Sequence, residues 1–285
     1  MPEGNVLSAP EGQRGFQAHE DLVFDVGMNI CEDTDFYLKK GFRVVAVEAN
    51  PSACLEAERR YPGEVASGQL TILNRAISGA RAPLRFFVCR TMSAWSTAST
   101  ALRDQWARQG AVFEEIEVPG MSSADLIADY GVPRYAKVDI EGFDLICLRG
   151  FQAVSAAPRY LSVEVDFYTV DELLGVLKGL GYRRYALVGQ AGVANQRAPA
   201  AAKEGRAVAY EFKSGCSGLF GEELPAPWGD AGAVRARCAA VVNQHRIAGA
   251  LDRLGGVPLV GGALARLKDR RLPLARDWYD IHAAL

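Results

Sequence analysis

Two groups of residues combine side-chain types and spacing suited to chemistry. The first is Asp25-x-Gly27-x-Asn29-x-Cys31, followed 23 residues after Asp25 by Glu48 in Glu48-Ala49-Asn50-Pro51. A glycine turn between a strand and a helix offers backbone N–H groups to a ligand. An acid at the tip of the next strand commonly takes the ribose hydroxyls of an adenine nucleoside. The second group is Lys137-x-Asp139-x-Glu141, with Glu164 further along in Leu161-Ser-Val-Glu-Val-Asp166. Period-two alternation puts Lys137, Asp139 and Glu141 on one face at a strand's C-terminal end. Open α/β sheets bind ligands at that edge. Charged groups entering a buried strand are costly unless paired or functional.

The charge of the first turn selects among nucleoside ligands. A dinucleotide needs Gly-x-Gly-x-x-Gly so that backbone approaches the pyrophosphate. Here Asn29, Cys31 and Glu32 largely fill those positions, and Glu32 and Asp33 would repel a diphosphate. S-adenosylmethionine has no phosphate and carries a sulfonium and an ammonium, which an acidic turn favours. The expected cofactor is therefore S-adenosyl-L-methionine rather than NAD. Methyl transfer to a hydroxyl needs the acceptor oxygen in line at about 3–3.5 Å and a base for its proton. Asp139, Glu141 and Glu164 are the carboxylate candidates, and neighbouring carboxylates push one another's pKa upward, which suits a base. A divalent ion on these carboxylates is the lesser alternative, because no histidine joins them. No metal is expected.

These residues need a scaffold, and the apolar pattern supplies one. Residues 1–20 read as a flexible lead-in. Asp21–Gly27, Phe42–Glu48 and Leu70–Ile77 read as buried strands. A helix from Asp33 to Lys40 is capped by Asp33 or Thr34 and stopped by Gly41, and a second runs from Pro51 to about Arg60. The alternation resumes with strands at Tyr135–Ile140, Arg159–Val165 and Tyr182–Val188, and helices at Phe143–Arg149 and Asp171–Leu180. Ala207–Lys213 is expected as the last strand. The excursion at 78–133 holds a strand at Leu84–Val88 and a helix near Ser122–Asp129. Residues 190–205 read as a mobile hairpin loop, 231–254 as helix, and the aromatic end, Asp277–His282, as packed down. Strand–helix alternation marks a doubly wound, mostly parallel α/β sheet with an antiparallel last strand. The expected division is 1–20, a main domain at 21–214, and a helical C-terminal appendage at 215–285 packed on it.

Composition excludes other classes. The chain has 285 residues, with 32 Lys+Arg against 34 Asp+Glu. That balance gives no footprint for non-specific nucleic-acid binding. No apolar run reaches the ~18 residues of a membrane helix, and the polar N-terminus lacks a signal-peptide core. Six cysteines without a CxxC pattern read as reduced thiols, so the expected location is cytoplasmic.

Asp25-Val-Gly-Met-Asn-Ile-Cys-Glu-Asp-Thr34, Val45-Ala-Val-Glu-Ala-Asn-Pro51 and Lys137-Val-Asp-Ile-Glu-Gly142 resemble the FkbM-type methyltransferases, a class I, S-adenosylmethionine-dependent family with a Rossmann-like sheet. The resemblance covers roughly residues 20–190, and the Lys137–Gly142 element is its most specific part. It implies methylation of a hydroxyl on a sugar, glycan or secondary metabolite. It places Asp139 and Glu141 near the methyl donor and acceptor. The expected cofactor contacts are Asp25, Gly27, Asn29, Cys31, Thr34, Glu48, Ala49, Asn50, Asn74, Ala76 and Asp139, and the expected catalytic set is Lys137, Asp139, Glu141 and Glu164. The family usually carries glycine where Cys31 stands; a cysteine has a Cβ that disfavours left-handed dihedrals. Ser93, Trp95, Ser96 and Thr97 offer an acceptor wall. The alternatives are a catalytically weak scaffold that keeps the fold, and an NAD(P)-linked oxidoreductase. The expected partner is a small-molecule or glycan hydroxyl acceptor, with no nucleic acid and no membrane span.

Overall fold

A computed structural model describes residues 15–255 and 278–285. The first fourteen residues of the expected lead-in, and residues 256–277 of the expected appendage, lie outside the described residues. Seven strands form one sheet: β1 (Ala18–Val26), β2 (Arg43–Glu48), β3 (Leu70–Asn74), β8 (Val132–Val138), β9 (Tyr160–Glu164), β10 (Arg184–Gly189) and β11 (Tyr279–Ala284). Their order is β10-β11-β9-β8-β1-β2-β3. β1, β2, β3, β8 and β9 pair in parallel, whereas β11 runs antiparallel between β9 and β10. The order reverses between β1 and β8, so the crevice of this Rossmann-like sheet opens at their C-terminal ends.

The helices follow from local signals. α1 (Thr34–Lys39) ends at Gly41, which takes the left-handed conformation (φ 87°). α2 (Pro51–Arg60) starts on a proline, and the Asn50 side chain accepts from Ser52 N at 3.0 Å. α3 (Pro62–Ser67) follows directly. α5 (Ser123–Tyr130) carries a capping box between Ser122 and Asp125. α6 (Asp144–Ala153), α7 (Val170–Gly179) and α8 (Ala231–Gly255) cover one sheet face.

The two sheet faces differ in chemistry. Phe24, Val26, Ala136, Val138, Leu161, Val163, Ile281 and Ala283 point into the apolar core under α5–α8. The opposite positions carry a polar row: Asp25 pairs with Lys137, Lys137 with Ser162, and Ser162 with His282. Tyr135 hydrogen-bonds Ser162 across this face at 2.6 Å and stacks on Phe220, their centroids 4.1 Å apart. The segment bearing Phe220 is fastened to α1 by a buried ion pair between Lys40 and Glu223 at 2.9 Å.

Several expectations are corrected. β1 begins at Ala18, inside the segment read as a lead-in. The third strand breaks at Arg75: Leu70–Asn74 joins the sheet, while β4 (Ala76–Ile77) pairs with β7 (Gly120–Met121). In the excursion, β5 (Leu84–Cys89) pairs antiparallel with β6 (Phe113–Val118), and α4 (Thr100–Ala107) lies between them. Ala207–Lys213 is not a strand; Glu211 makes one bridge to Arg197, and Tyr210 and Phe212 pack on Phe36. The antiparallel strand is Tyr279–Ala284, so the chain's end is built into the sheet rather than appended to it. Residues 190–205 are not a hairpin: Gln190–Asn195 is a 3₁₀ turn with Gln190 and Val193 buried, and buried Glu204 pairs with Arg134 at 2.5 Å.

Candidate active site

The turn after β1 is forced by close approach of backbone. Gly27 has φ 90°, and a Cβ there would stand 1.8 Å from the carbonyl oxygen of Asp139. Only glycine lets β1 and the exit of β8 meet. Asn29 (φ 48°) and Cys31 (φ 67°) are also left-handed. Cys31 thus does occupy a glycine-like conformation. Its side chain is buried in the core beneath the turn, and burial pushes its thiol up to about 12.

Glu48, at the tip of β2, is held from both sides. Its Oε2 accepts from Asn29 N at 2.8 Å, and its Oε1 from Asn50 N at 2.7 Å. Burial raises its pKa to about 7 against the lowering effect of these amides and of Lys137. Asn74 braces the strand tip by donating to the carbonyls of Glu48 and Ala49, both at 3.0 Å.

Lys137 is buried at the centre of an acidic ring. Its Nζ donates to the Gly27 carbonyl at 2.7 Å and lies 3.4 Å from Asp139, 3.7 Å from Asp25 and 3.9 Å from Asp33. Burial lowers its pKa, but Asp139, Asp25 and Asp33 together raise it well above the usual lysine value. Asp33 does not cap α1; its Oδ1 accepts from Ser217 N at 2.8 Å. Thr34 donates to Asp25 at 2.5 Å instead of capping.

The residues after β8 form a tight turn in which Glu141 is left-handed (φ 48°). Asp144 accepts from Ile140 N at 3.1 Å and Gly142 N at 3.3 Å, and Thr97 donates to the Glu141 carbonyl at 2.7 Å. These bonds hold a conformation that costs about 1–3 kcal/mol at a non-glycine residue. The result brings oxygens of Asp139, Glu141 and Glu164 within 4.8 Å of one another. The turn, rather than strand alternation, delivers Glu141, because β8 ends at Val138. Burial and the neighbouring carboxylates push both Glu141 and Glu164 up, Glu141 with Glu164 as its largest charge partner.

A cleft runs across this edge. Gly27, Asn29, Glu48, Ala49, Asn50, Ala76, Lys137, Asp139 and Glu141 line it. Asp25, Cys31, Thr34, Asn74 and Glu164 do not. Asp25 and Thr34 are buried beneath the turn, Asn74 supports Glu48, and Glu164 stands behind Asp139 and Glu141. Ser93 and Ser96 line the cleft, whereas Thr97 is buried and Trp95 stacks on Trp106 with centroids 5.5 Å apart. Arg75, Phe86 and Phe143 line the cleft as well. Their adjacency to Asn74, to the Leu84 strand and to Gly142 was the available signal. Asp280 was missed outright, since only the position of β11 brings it near Glu164.

No curated protein sequence matches the chain. Among solved structures, the chain is similar to precorrin-6y C5,15-methyltransferase from Geobacter metallireducens. That match has 13% identity and a TM-score of 0.32, covering 62% of this chain and 72% of that one. It is also similar to precorrin 8w decarboxylase from Methanobacterium thermoautotrophicum, with 14% identity and a TM-score of 0.35 over 67% and 77% of the two chains. The family model described as the methyltransferase FkbM domain matches residues 25–184, and it spans both the glycine turn and the carboxylate cluster. This chain belongs to the FkbM methyltransferase family.

Proposed function

We propose that the protein is an S-adenosylmethionine-dependent O-methyltransferase acting on a hydroxyl of a sugar, glycan or other small metabolite. The observation that carries this reading is the cleft itself, with Glu48 at one end and the Asp139–Glu141 turn at the other. Its lining includes Glu32, Asp33, Glu48, Asp139 and Glu141. Such a wall favours a sulfonium and opposes a diphosphate.

S-adenosylmethionine would supply a methyl carbon on sulfur, whose C–S bond breaks toward sulfur as the acceptor oxygen bonds to carbon. Glu48, fixed by Asn29 and Asn50, has free lone pairs for the ribose diol. Ala49 and Ala76 offer small apolar surfaces near it. Lys137 holds the Gly27 carbonyl and Asp139 in fixed relation. Glu141, pushed upward by burial and by the neighbouring Glu164 and Asp139 carboxylates, lines the cleft, is a stronger base when ionised and takes the hydroxyl proton, with Glu164 behind it. Ser93 and Ser96 stand where an acceptor's other hydroxyls would lie.

The test is transfer of radiolabelled methyl from S-adenosylmethionine to a panel of hydroxylated sugars and metabolites. Glu141→Gln and Asp139→Asn serve as controls. Turnover with one acceptor class, falling about 10²–10⁴-fold in the variants, supports the reading. Turnover equal in both variants and wild type removes the assignment of these carboxylates.

A further inference from the structure

The carboxylate cluster holds more negative charge than its neighbours balance. Elsewhere around the cleft the acids meet donors: Glu48 two amides, Asp144 two amides, Asp33 one. Among the described residues no donor reaches the carboxylates of Glu141 and Glu164, and Asp139 has only Lys137, at 3.4 Å. That lysine is already shared with Asp25 and Asp33.

Asp280 adds to the imbalance from a separate element. It is 8% exposed and stands directly opposite Glu164 in antiparallel register. Cross-strand partners project from the same sheet face. Its carboxylate has no hydrogen-bond or ion-pair partner among the described residues, and its register sets it beside Glu164 on the face that carries the cluster. A buried carboxylate facing others calls for a proton or a cation.

We infer that Asp139, Glu141 and Glu164 bind a divalent hard cation, Mg²⁺ or Mn²⁺, at the acceptor end of the cleft, with Asp280 adding charge behind Glu164. Such ions take carboxylate oxygens and waters, at about 2.0–2.1 Å for Mg²⁺. Ligand atoms no more than 4.8 Å apart can converge on one ion after small side-chain rotations, since two oxygens on one Mg²⁺ stand at most about 4.2 Å apart, and its remaining positions go to water or acceptor oxygens. The absence of histidine argues against zinc but not against an all-oxygen site. Its chemistry rests on the methyl-transfer reading: the ion would hold the acceptor hydroxyl and stabilise its charge as the proton passes to the Glu141 oxygen that the ion leaves free.

The test uses metal-free full-length protein and MnCl₂, with free Mn²⁺ followed by electron paramagnetic resonance. S-adenosylhomocysteine binding is measured in parallel by calorimetry. The expected result is one Mn²⁺ per chain, displaced by MgCl₂. Glu164→Gln should weaken it by about tenfold or more, with S-adenosylhomocysteine affinity unchanged. Asp280→Asn should also weaken it, and it serves as the second variant if Glu164→Gln does not fold. No bound Mn²⁺ beside normal S-adenosylhomocysteine binding would overturn the ion site and leave the cofactor reading standing. Mn²⁺ binding that neither variant alters would do the same. Absence of S-adenosylhomocysteine binding by the wild-type protein would instead overturn the methyl-transfer reading.

Discussion

Lys137 Nζ donates to the carbonyl oxygen of Gly27 at 2.7 Å, joining residues 110 positions apart in the chain. One ammonium thereby fixes the glycine turn, holds Asp139 and offsets the buried acids Asp25 and Asp33. Removing it leaves those acids without their cation. Lys137→Met is expected to destabilise the fold by about 3–5 kcal/mol, the range for breaking one side of a buried ion pair. Urea unfolding at neutral pH measures it. A loss below about 1 kcal/mol, the range of a surface pair, would mean that the lysine is not the keystone of the turn.

Gly27 is constrained more sharply. Its φ is 90°, and the Asp139 carbonyl oxygen lies 1.8 Å from where a Cβ would stand, which leaves no room for a side chain. Gly27→Ala is expected to cost about 4 kcal/mol or more, because main chain rather than a flexible side chain must yield. Chemical denaturation measures the cost. Stability within about 1 kcal/mol of wild type would show that the two strand exits separate freely.

Glu48 predicts a pH dependence. Burial raises its carboxyl to about 7, with Lys137 opposing and Asp25 reinforcing the shift. Its folded pKa lies above the unfolded carboxylate value, so its contribution to stability is complete below the unfolded value and is lost as pH rises through about 7. On the proposed reading, ligand affinity runs the other way, because the ionised form would accept from ribose hydroxyls. S-adenosylhomocysteine binding is expected to tighten from about pH 6 toward 8 and to level off as ionisation completes. Glu48→Gln should flatten that profile and weaken binding by about tenfold, roughly one charge-assisted hydrogen bond. Calorimetry across pH checks both arms; an unchanged profile in the variant would assign the titration to another group.

Cys31 tests whether the departure from glycine blocks the cleft. Its backbone is left-handed, yet its side chain lies in the core and does not line the cleft. In Cys31→Gly, relief of about 1–2 kcal/mol of backbone strain opposes lost burial and added unfolded-state entropy. The net stability change is expected within about 1 kcal/mol, with S-adenosylhomocysteine affinity unchanged. A tenfold gain in affinity would show that cysteine does obstruct the ligand.

What was legible in the sequence follows the range of the interactions. Asn29, Glu48 and Asn50 were readable as one group because strand, turn and helix starts are local signals. Pro51 and Gly41 behave likewise. Asp139, Glu141 and Glu164 could be grouped because consecutive strands of an α/β sheet tend to be neighbours. The misreadings were non-local. Ala207–Lys213 alternates like a strand, but its aromatic residues satisfy themselves against Phe36. The Tyr279–Ala284 strand carries a buried Asp and His, which masks it as a core strand, and its insertion between β9 and β10 is a tertiary fact. Asp25 and Thr34 have chemistry-bearing types, but the turn puts them below the cleft floor, where they support Lys137.

The most direct measurement is calorimetric titration of the purified full-length protein with S-adenosylmethionine, S-adenosylhomocysteine and NAD. The expected result is binding of the first two with micromolar-range affinity, about 8 kcal/mol, and no binding of NAD. NAD binding, or a folded protein that binds none of the three, would contradict the assignment of the acidic cleft to a sulfonium cofactor.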